Sequence, residues 1–317
     1  MAFTKVDHVA MLIDDLETAR HVFCDGWGLA IDELRSPWPQ GRPGTFDGVT
    51  SIEIPIGELF LEISRPNDTT SDAARFVAER RAGMYHIALA SNDLAADVAA
   101  LQARGARLAE PWDGRSAVFL DPATTLGLRI RIVPDQGYYA HPAYRGDGTF
   151  TGMGHIGIAA RSVEEVRALF GGVFALDEDR GSERGGEPAP ERAASSERRE
   201  ADDPVHLVEF PLGGTVIEIS IPTTTDSGTA RLVATRAPLG AVYHHICPYA
   251  PDVARSADSG RAAGLQQIGT TPPHDPANPG RIDVAWFHPR TCVGTLIEIW
   301  NRPPGRDHAL QWRRLQP

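Results

Sequence analysis

A single lysine, Lys5, and only three cysteines, Cys24, Cys247 and Cys292, occur in 317 residues. The cysteines are odd in number and widely spaced, so they fit neither a disulfide framework nor a thiolate zinc site. They read as three small buried thiols. Basic charge is in deficit: 31 Lys and Arg face 42 Asp and Glu, a formal net charge of −11. Nucleic-acid binders need basic surface to neutralise phosphates, so no nucleic-acid partner is expected. Nearly all the positive charge is arginine. An anionic ligand would need a few arginines brought together locally, which composition neither reveals nor excludes. Uninterrupted apolar runs of membrane-spanning length are also missing. The opening MAFTKVDHVAML has no basic segment leading into an apolar core of signal-peptide length. The expectation is a soluble, cytoplasmic protein with no membrane partner. What is present suits globular folding: 42% hydrophobic and 23% charged residues, over a length that suggests two domains.

The chain also repeats itself, which bears on the fold more than any composition. VDHVAMLIDDLETARHVFCDGWGL near the N-terminus returns as MGHIGIAARSVEEVRALFGGVFAL from Met153. IEIPIGELFLEISRP from Ile52 returns as VEFPLGGTVIEISIP from Val208, and SDAARFVAERRAGMYHIAL from Ser71 returns as SGTARLVATRAPLGAVYHHIC from Ser227. AVFLDPATTLGLRIRIV from Ala117 returns as AWFHPRTCVGTLIEIWN from Ala285. Landmarks recurring in the same order imply gene duplication.

Each half divides again. An apolar strand with an embedded His precedes a helical pattern that Asp15 or Ser162 can cap. Its apolar positions are Leu16, Ala19, Val22 and Phe23, or Val163, Val166, Leu169 and Phe170. Short segments rich in β-branched residues and bounded by Gly and Pro follow as strands. The unit reads βαβββ, present four times. One such unit leaves a sheet face uncovered, so units must pair, and curved sheets from two units enclose a cleft. The division expected is an N-terminal domain at 1–136, a linker at 137–152, a C-terminal domain at 153–303 and a tail at 304–317. The stretch 180–204 is dense in Glu, Arg, Ser, Gly and Pro and reads as a disordered loop, or as a lid ordered by substrate.

One ionisable residue interrupts an apolar strand at a fixed place in every unit. First strands supply His8, His86, His155 and His245; last strands supply Glu62, Arg131, Glu218 and Glu298. A lone carboxylate in a sheet facing a core is costly unless compensated. Two His and two Glu converging from paired strands compensate one another as a divalent-metal site.

These motifs, with YHIALASNDL, HHI and HPRTCVGTLIEIW, resemble the vicinal-oxygen-chelate superfamily over nearly the whole chain. That superfamily includes glyoxalase I, methylmalonyl-CoA epimerase, fosfomycin-resistance proteins and extradiol dioxygenases, and the motifs look nearest the epimerase branch. The resemblance implies an α+β protein: four βαβββ units paired into two barrel-like vicinal-oxygen-chelate domains. It implies a metal site of His155, Glu218, His245 and Glu298 in the second half. Of the HH pair, His245 is chosen because the residue after it matches the Ile that follows His86. The ion would be one of Zn, Co, Ni, Mn or Fe.

In the first half the same mapping gives His8, Glu62 and His86 but Arg131 at the fourth place, where a guanidinium cannot ligate a metal. A degenerate site with an Arg131–Glu62 ion pair is expected, the alternatives being a three-ligand or an anion site. The epimerases carry a glutamate base on the preceding strand, and Glu209 stands there, with Glu53 as its first-half counterpart. The resemblance therefore implies a metal-dependent epimerase or isomerase with Glu209 and Glu298 as catalytic carboxylates. Its substrate would be a small molecule, an acyl-CoA or a hydroxy-ketone such as a cyclitol. Rival readings are an extradiol-type dioxygenase, a glyoxalase-I-like lyase and a non-catalytic binder of a small toxic or antibiotic molecule. For the dioxygenase, no recognisable His and Tyr signature precedes Glu298, although His274, His288 and Trp286 could take part. Pairing of the first unit with the fourth would instead assemble His8, Glu62, His245 and Glu298. The chain is expected to be a monomer or a homodimer.

Overall fold

The computed structural model describes residues 3–46, 48–137, 149–179, 203–277 and 281–301. Most of the expected loop at 180–204, the core of the 137–152 linker and the 304–317 tail lie outside the described residues.

Each half forms one seven-stranded mixed sheet. The first contains β1 (Phe3–Ile13), β2 (Arg42–Pro43), β3 (Val49–Ile56), β4 (Leu59–Pro66), β5 (Ala82–Ser91), β6 (Val118–Phe119) and β7 (Ile130–Pro134), in the order β2-β3-β4-β1-β5-β7-β6. The second contains β8 (Gly152–Ala160), β9 (Val205–Leu212), β10 (Thr215–Pro222), β11 (Ala241–Tyr249), β12 (Gln267–Ile268), β13 (Val284–Phe287) and β14 (Leu296–Trp300). Its order is β12-β13-β14-β11-β8-β10-β9. At each centre two His-bearing strands run antiparallel, β1 with β5 and β8 with β11. Their outer neighbours β4, β7, β10 and β14 run parallel to them. Units therefore pair within halves, and the cross-half set of His8 and Glu62 with His245 and Glu298 does not form.

In the first, second and fourth units the strand next after the unit's own helix is the weak member. It is two residues long in β2 and β12 and shrinks to a bridge, Leu108–Leu120, in the second unit. These segments lie at sheet edges, where proline-rich sequence limits pairing. Asp15 and Ser162 cap their helices as expected, accepting from Glu17 N and Glu165 N. Each helix is short, Leu16–Arg20 or Val163–Val166, and widens at the same point into a π-turn, His21–Asp25 or Arg167–Val173.

One face of each sheet, including Val6, Val9 and Met11 in the first and Ile156 and Ile158 in the second, joins a single apolar core with the helices of both halves. Trp27 is its keystone. It is 1% exposed, lies tilted to Phe150 at 5.3 Å and edge-on to Phe287 at 5.4 Å, and donates Nε1 to Ser256 O at 3.2 Å. Truncating a buried Trp costs about 3–5 kcal/mol. Phe3 meets Phe174 at 5.9 Å on the other side. Cys247 and Cys292 are buried and Cys24 half-buried, none in a disulfide. None of the described helices is long and apolar enough to cross a membrane.

Candidate metal centre

Opposite residues in an antiparallel ladder share a face, and this rule assembles the site. Each last-strand position has one such partner: Glu53 faces Glu62, Phe119 faces Arg131, Glu209 faces Glu218 and Trp286 faces Glu298. The His strands carry a register shift in both halves. Ala10 pairs with His86 and Met11 with Met84, which leaves Tyr85 as the extra residue. Gly157 pairs with His245 and Ile158 with Tyr243, which leaves His244 extra. Such bulges re-aim side chains near functional sites. This one selects His245 over His244 for the inner face.

In the second half the four donors come together and are buried. His155 Nε2 and His245 Nε2 are 2.9 Å apart, and Glu298 Oε2 lies 3.1 and 3.2 Å from them. Glu218 Oε1 stands 3.7 and 3.8 Å from the same nitrogens. Bonds of about 2.0–2.2 Å to one ion place neighbouring donors roughly 3–3.5 Å apart, so the set fits a divalent metal with Glu218 slightly outside. Without an ion, two buried carboxylates face two imidazoles. Burial opposes charge on His155, but the Cys247 sulfur and the Glu218 and Glu298 carboxylates outweigh it and raise its pKa well above the ordinary value. Burial likewise opposes ionisation of Glu298, but hydrogen bonds from His155 and His245 win and hold its pKa low.

Outer contacts fix these donors. Trp300 Nε1 donates to Glu298 Oε1, and its ring stands edge-on to His155 at 5.4 Å. Trp286 stands edge-on to His245 at 5.6 Å, and His244 Nδ1 lies 3.2 Å from His245 Nδ1. Glu209, Trp286, Trp300 and His244 are half-buried around the four buried candidate donors. His288 instead caps the Pro289–Thr291 turn, accepting from Arg290 N at 3.1 Å, and His274 is exposed.

Gly157 has a role that strand periodicity does not reveal. A Cβ there would meet His245 ring atoms at 2.1 Å, so the imidazole lies across this glycine. Its signal was the contrast of HIG at 155–157 with HVA at 8–10. Gly157→Ala is expected to displace His245 and weaken zinc binding about 10–100-fold, the usual cost of disturbing a ligand's support. Calorimetric titration of the metal-stripped variant checks this, with circular dichroism confirming the fold.

The first half gathers a similar trio but spends it differently. His8 Nε2 lies 3.2 Å from His86 Nε2 and 3.5 Å from Glu62 Oε2. The expected Arg131–Glu62 ion pair does not form. Thr45 donates to Glu62 through N at 2.8 Å and Oγ1 at 2.6 Å, and Arg42 Nη2 lies 3.3 Å away. Arg42 and Arg35 also neutralise Glu53, at 2.5 and 2.6 Å. Arg131 lies over the Phe119 ring at 5.2 Å instead. The correction follows from reach: Arg42, on β2, holds both carboxylates and leaves Arg131 only a longer-range attraction to Glu62. Burial, His8 and Arg131 push the His86 pKa well below its ordinary value, so that imidazole is neutral. Glu53 and Glu62 are fully buried, and Arg42→Ala removes a cation from both, leaving Glu53 to Arg35 and Glu62 to Thr45. It is expected to cost about 1–3 kcal/mol, the worth of hydrogen bonds lost to buried charged groups, read as a fall in the urea midpoint.

The Glyoxalase/Bleomycin resistance protein/Dioxygenase superfamily profile matches residues 7–119. Mitochondrial methylmalonyl-CoA epimerase of Mus musculus is 24% identical over 134 residues, 40% of this chain and 71% of that protein. Its Bos taurus counterpart is also 24% identical over 134 residues, 40% of this chain and 73% of that one. Among solved structures, a triply substituted 4-hydroxymandelate synthase from Streptomyces coelicolor is similar over 99% of this chain and 100% of its own, with TM-score 0.66 and 14% identity. A xylose isomerase-like TIM barrel/4-hydroxyphenylpyruvate dioxygenase fusion protein matches 99% of this chain and 53% of its own, with TM-score 0.58 and 13% identity. Both structural likenesses are of fold.

Proposed function

This chain carries a domain of the glyoxalase/bleomycin resistance protein/dioxygenase superfamily in tandem with a second of the same fold, and from that premise we propose a divalent-metal-dependent epimerase or isomerase. It removes and returns a proton alpha to a carbonyl of a small molecule. The observation that carries this reading is Glu209, which faces Glu218 across the ladder on the side of the metal donors. Its counterpart Glu53 is sealed and neutralised by two arginines, whereas Glu209 is half-buried at the edge of the site. A bound metal would supply Lewis acidity to the carbonyl oxygen, lowering the cost of charge there.

The protein's own part is proton handling. The Glu209 carboxylate takes the proton from one face of the α-carbon. Glu298, ringed by Trp286 and Trp300, serves the other face, so a proton leaves on one side and returns on the opposite one. The two indoles exclude water from that exchange. Deuterium incorporation at the α-carbon of acyl-CoA thioesters and hydroxy-ketones in heavy water, followed by NMR, tests the reading. A metal-loaded protein that exchanges none of them counts against it.

One observation favours a second reading. Glu298 approaches the imidazoles at 3.1–3.2 Å while Glu218 stands at 3.7–3.8 Å. His155, His245 and Glu298 thus form the tighter trio, the donor set of non-haem iron(II) oxygenases. Oxygen uptake by the iron-loaded protein with aromatic substrates would replace the isomerase by a dioxygenase.

A further inference from the structure

The repeat brings one pair of equivalent arginines to a place that the metal centre does not use. Arg80 closes the helix Asp72–Arg80 and Arg236 closes its repeat, Gly228–Arg236. Both line a cavity of about 370 Å³ between the halves. Its walls are tied together by Ala241 N donating to Leu126 O at 2.8 Å and Tyr243 Oη donating to Arg129 O at 2.6 Å.

The charges in this cavity are out of balance. Arg75, Arg80, Arg129 and Arg236 face Asp72 and Glu79. Asp72 is held by Arg75, whose Nη1 also donates to Thr70 O at 2.6 Å. Arg129 reaches Asp72 only at 4.0 Å and otherwise lies over the Tyr85 ring at 4.7 Å. Arg80 lies over the Phe76 ring at 5.2 Å. Among the described residues no carboxylate comes within ion-pairing distance of Arg80 or Arg236. Apart from the long Arg129–Asp72 contact, Glu79 is the one carboxylate lining the cavity that is left to Arg80, Arg129 and Arg236. Burial, then Arg236, then Arg129 lower the pKa of Arg80, while Glu79 partly offsets them. Arginines forced together without counter-charge are relieved by a bound anion.

We propose that this cavity binds a tetrahedral oxyanion, phosphate or a phosphate ester, between Arg80, Arg129 and Arg236. A phosphate group offers three acceptor oxygens and about two negative charges, one oxygen for each guanidinium. A carboxylate, with two oxygens in one plane, would leave one arginine unsatisfied. Such a ligand would join the two halves, since Arg236 belongs to one and Arg80 and Arg129 to the other.

Inorganic phosphate titrated calorimetrically at low ionic strength tests the site in the wild type, in Arg80→Gln/Arg236→Gln and in Glu298→Ala. Saturable binding should weaken roughly tenfold or more in the double variant, the worth of one charge-assisted hydrogen bond, and persist in Glu298→Ala. Unchanged binding in the double variant overturns the proposal. So does loss of binding in Glu298→Ala, which would assign the phosphate to the metal centre. Arg236 is exposed, so Arg236→Gln alone, with a melting curve, keeps the test valid if the double variant unfolds: weaker binding supports the site and equal binding removes it. Glycerol phosphate binding more tightly than inorganic phosphate would identify an ester as the ligand, and the reverse order the free ion; either supports the site.

Discussion

About one divalent ion per chain is expected in the purified wild type by plasma mass spectrometry, and none in Glu298→Ala. Glu298 Oε2 is the atom nearest both imidazoles after they meet each other. Removing it takes away one of two carboxylates and leaves two buried His facing each other. The loss should exceed the roughly 10–100-fold worth of an outer contact. Glu298→Gln, which keeps the shape and the Trp300 contact, separates lost ligation from lost packing, because it should also lose the ion while melting near the wild type. Two ions per chain would mean that His8, Glu62 and His86 bind despite Arg131. No ion under any loading condition would remove the enzyme reading and leave a small-molecule binding protein.

Glu209→Gln should do the opposite. Metal content stays near one per chain, because Glu209 stands across the ladder from Glu218 rather than among the four proposed ligands. Exchange of the substrate α-proton should fall about 10²–10⁴-fold, the usual contribution of a positioned general base. Paired measurement of metal and deuterium exchange separates the roles. A variant that loses the ion makes Glu209 structural, and one that keeps both ion and exchange moves the base elsewhere.

Much of this arrangement was legible in the sequence because strand geometry repeats it four times. His and carboxylate positions recur at the same places in each unit, and alternation along a strand then fixes their face. The identity of the inner histidine at 244–245 depended on a bulge, which pattern matching could suggest but not derive. Other features have no periodic trace. Arg35 and Arg42 reach Glu53 from segments between the long strands, so the ion pair assigned to Arg131 went to a nearer cation. The meeting of Arg80, Arg129 and Arg236 depends on how the halves dock, which no local pattern encodes. The importance of Gly157 was written in the sequence only as a missing methyl group.

Trp27 carries a consequence for how the chain can evolve. It belongs to the half whose carboxylates Glu53 and Glu62 are held by Arg35, Arg42 and Thr45, yet it packs on Phe287 and Ser256 of the half where His155, Glu218, His245 and Glu298 converge. Site and wall of the first copy therefore answer to different contacts. His8, Glu62 and Arg131 answer to contacts within their own half, whereas Phe3 and Trp27 pack on Phe174 and Phe287 of the other. A duplicate of this kind can change its own site without becoming dispensable, because its interior is also its sibling's.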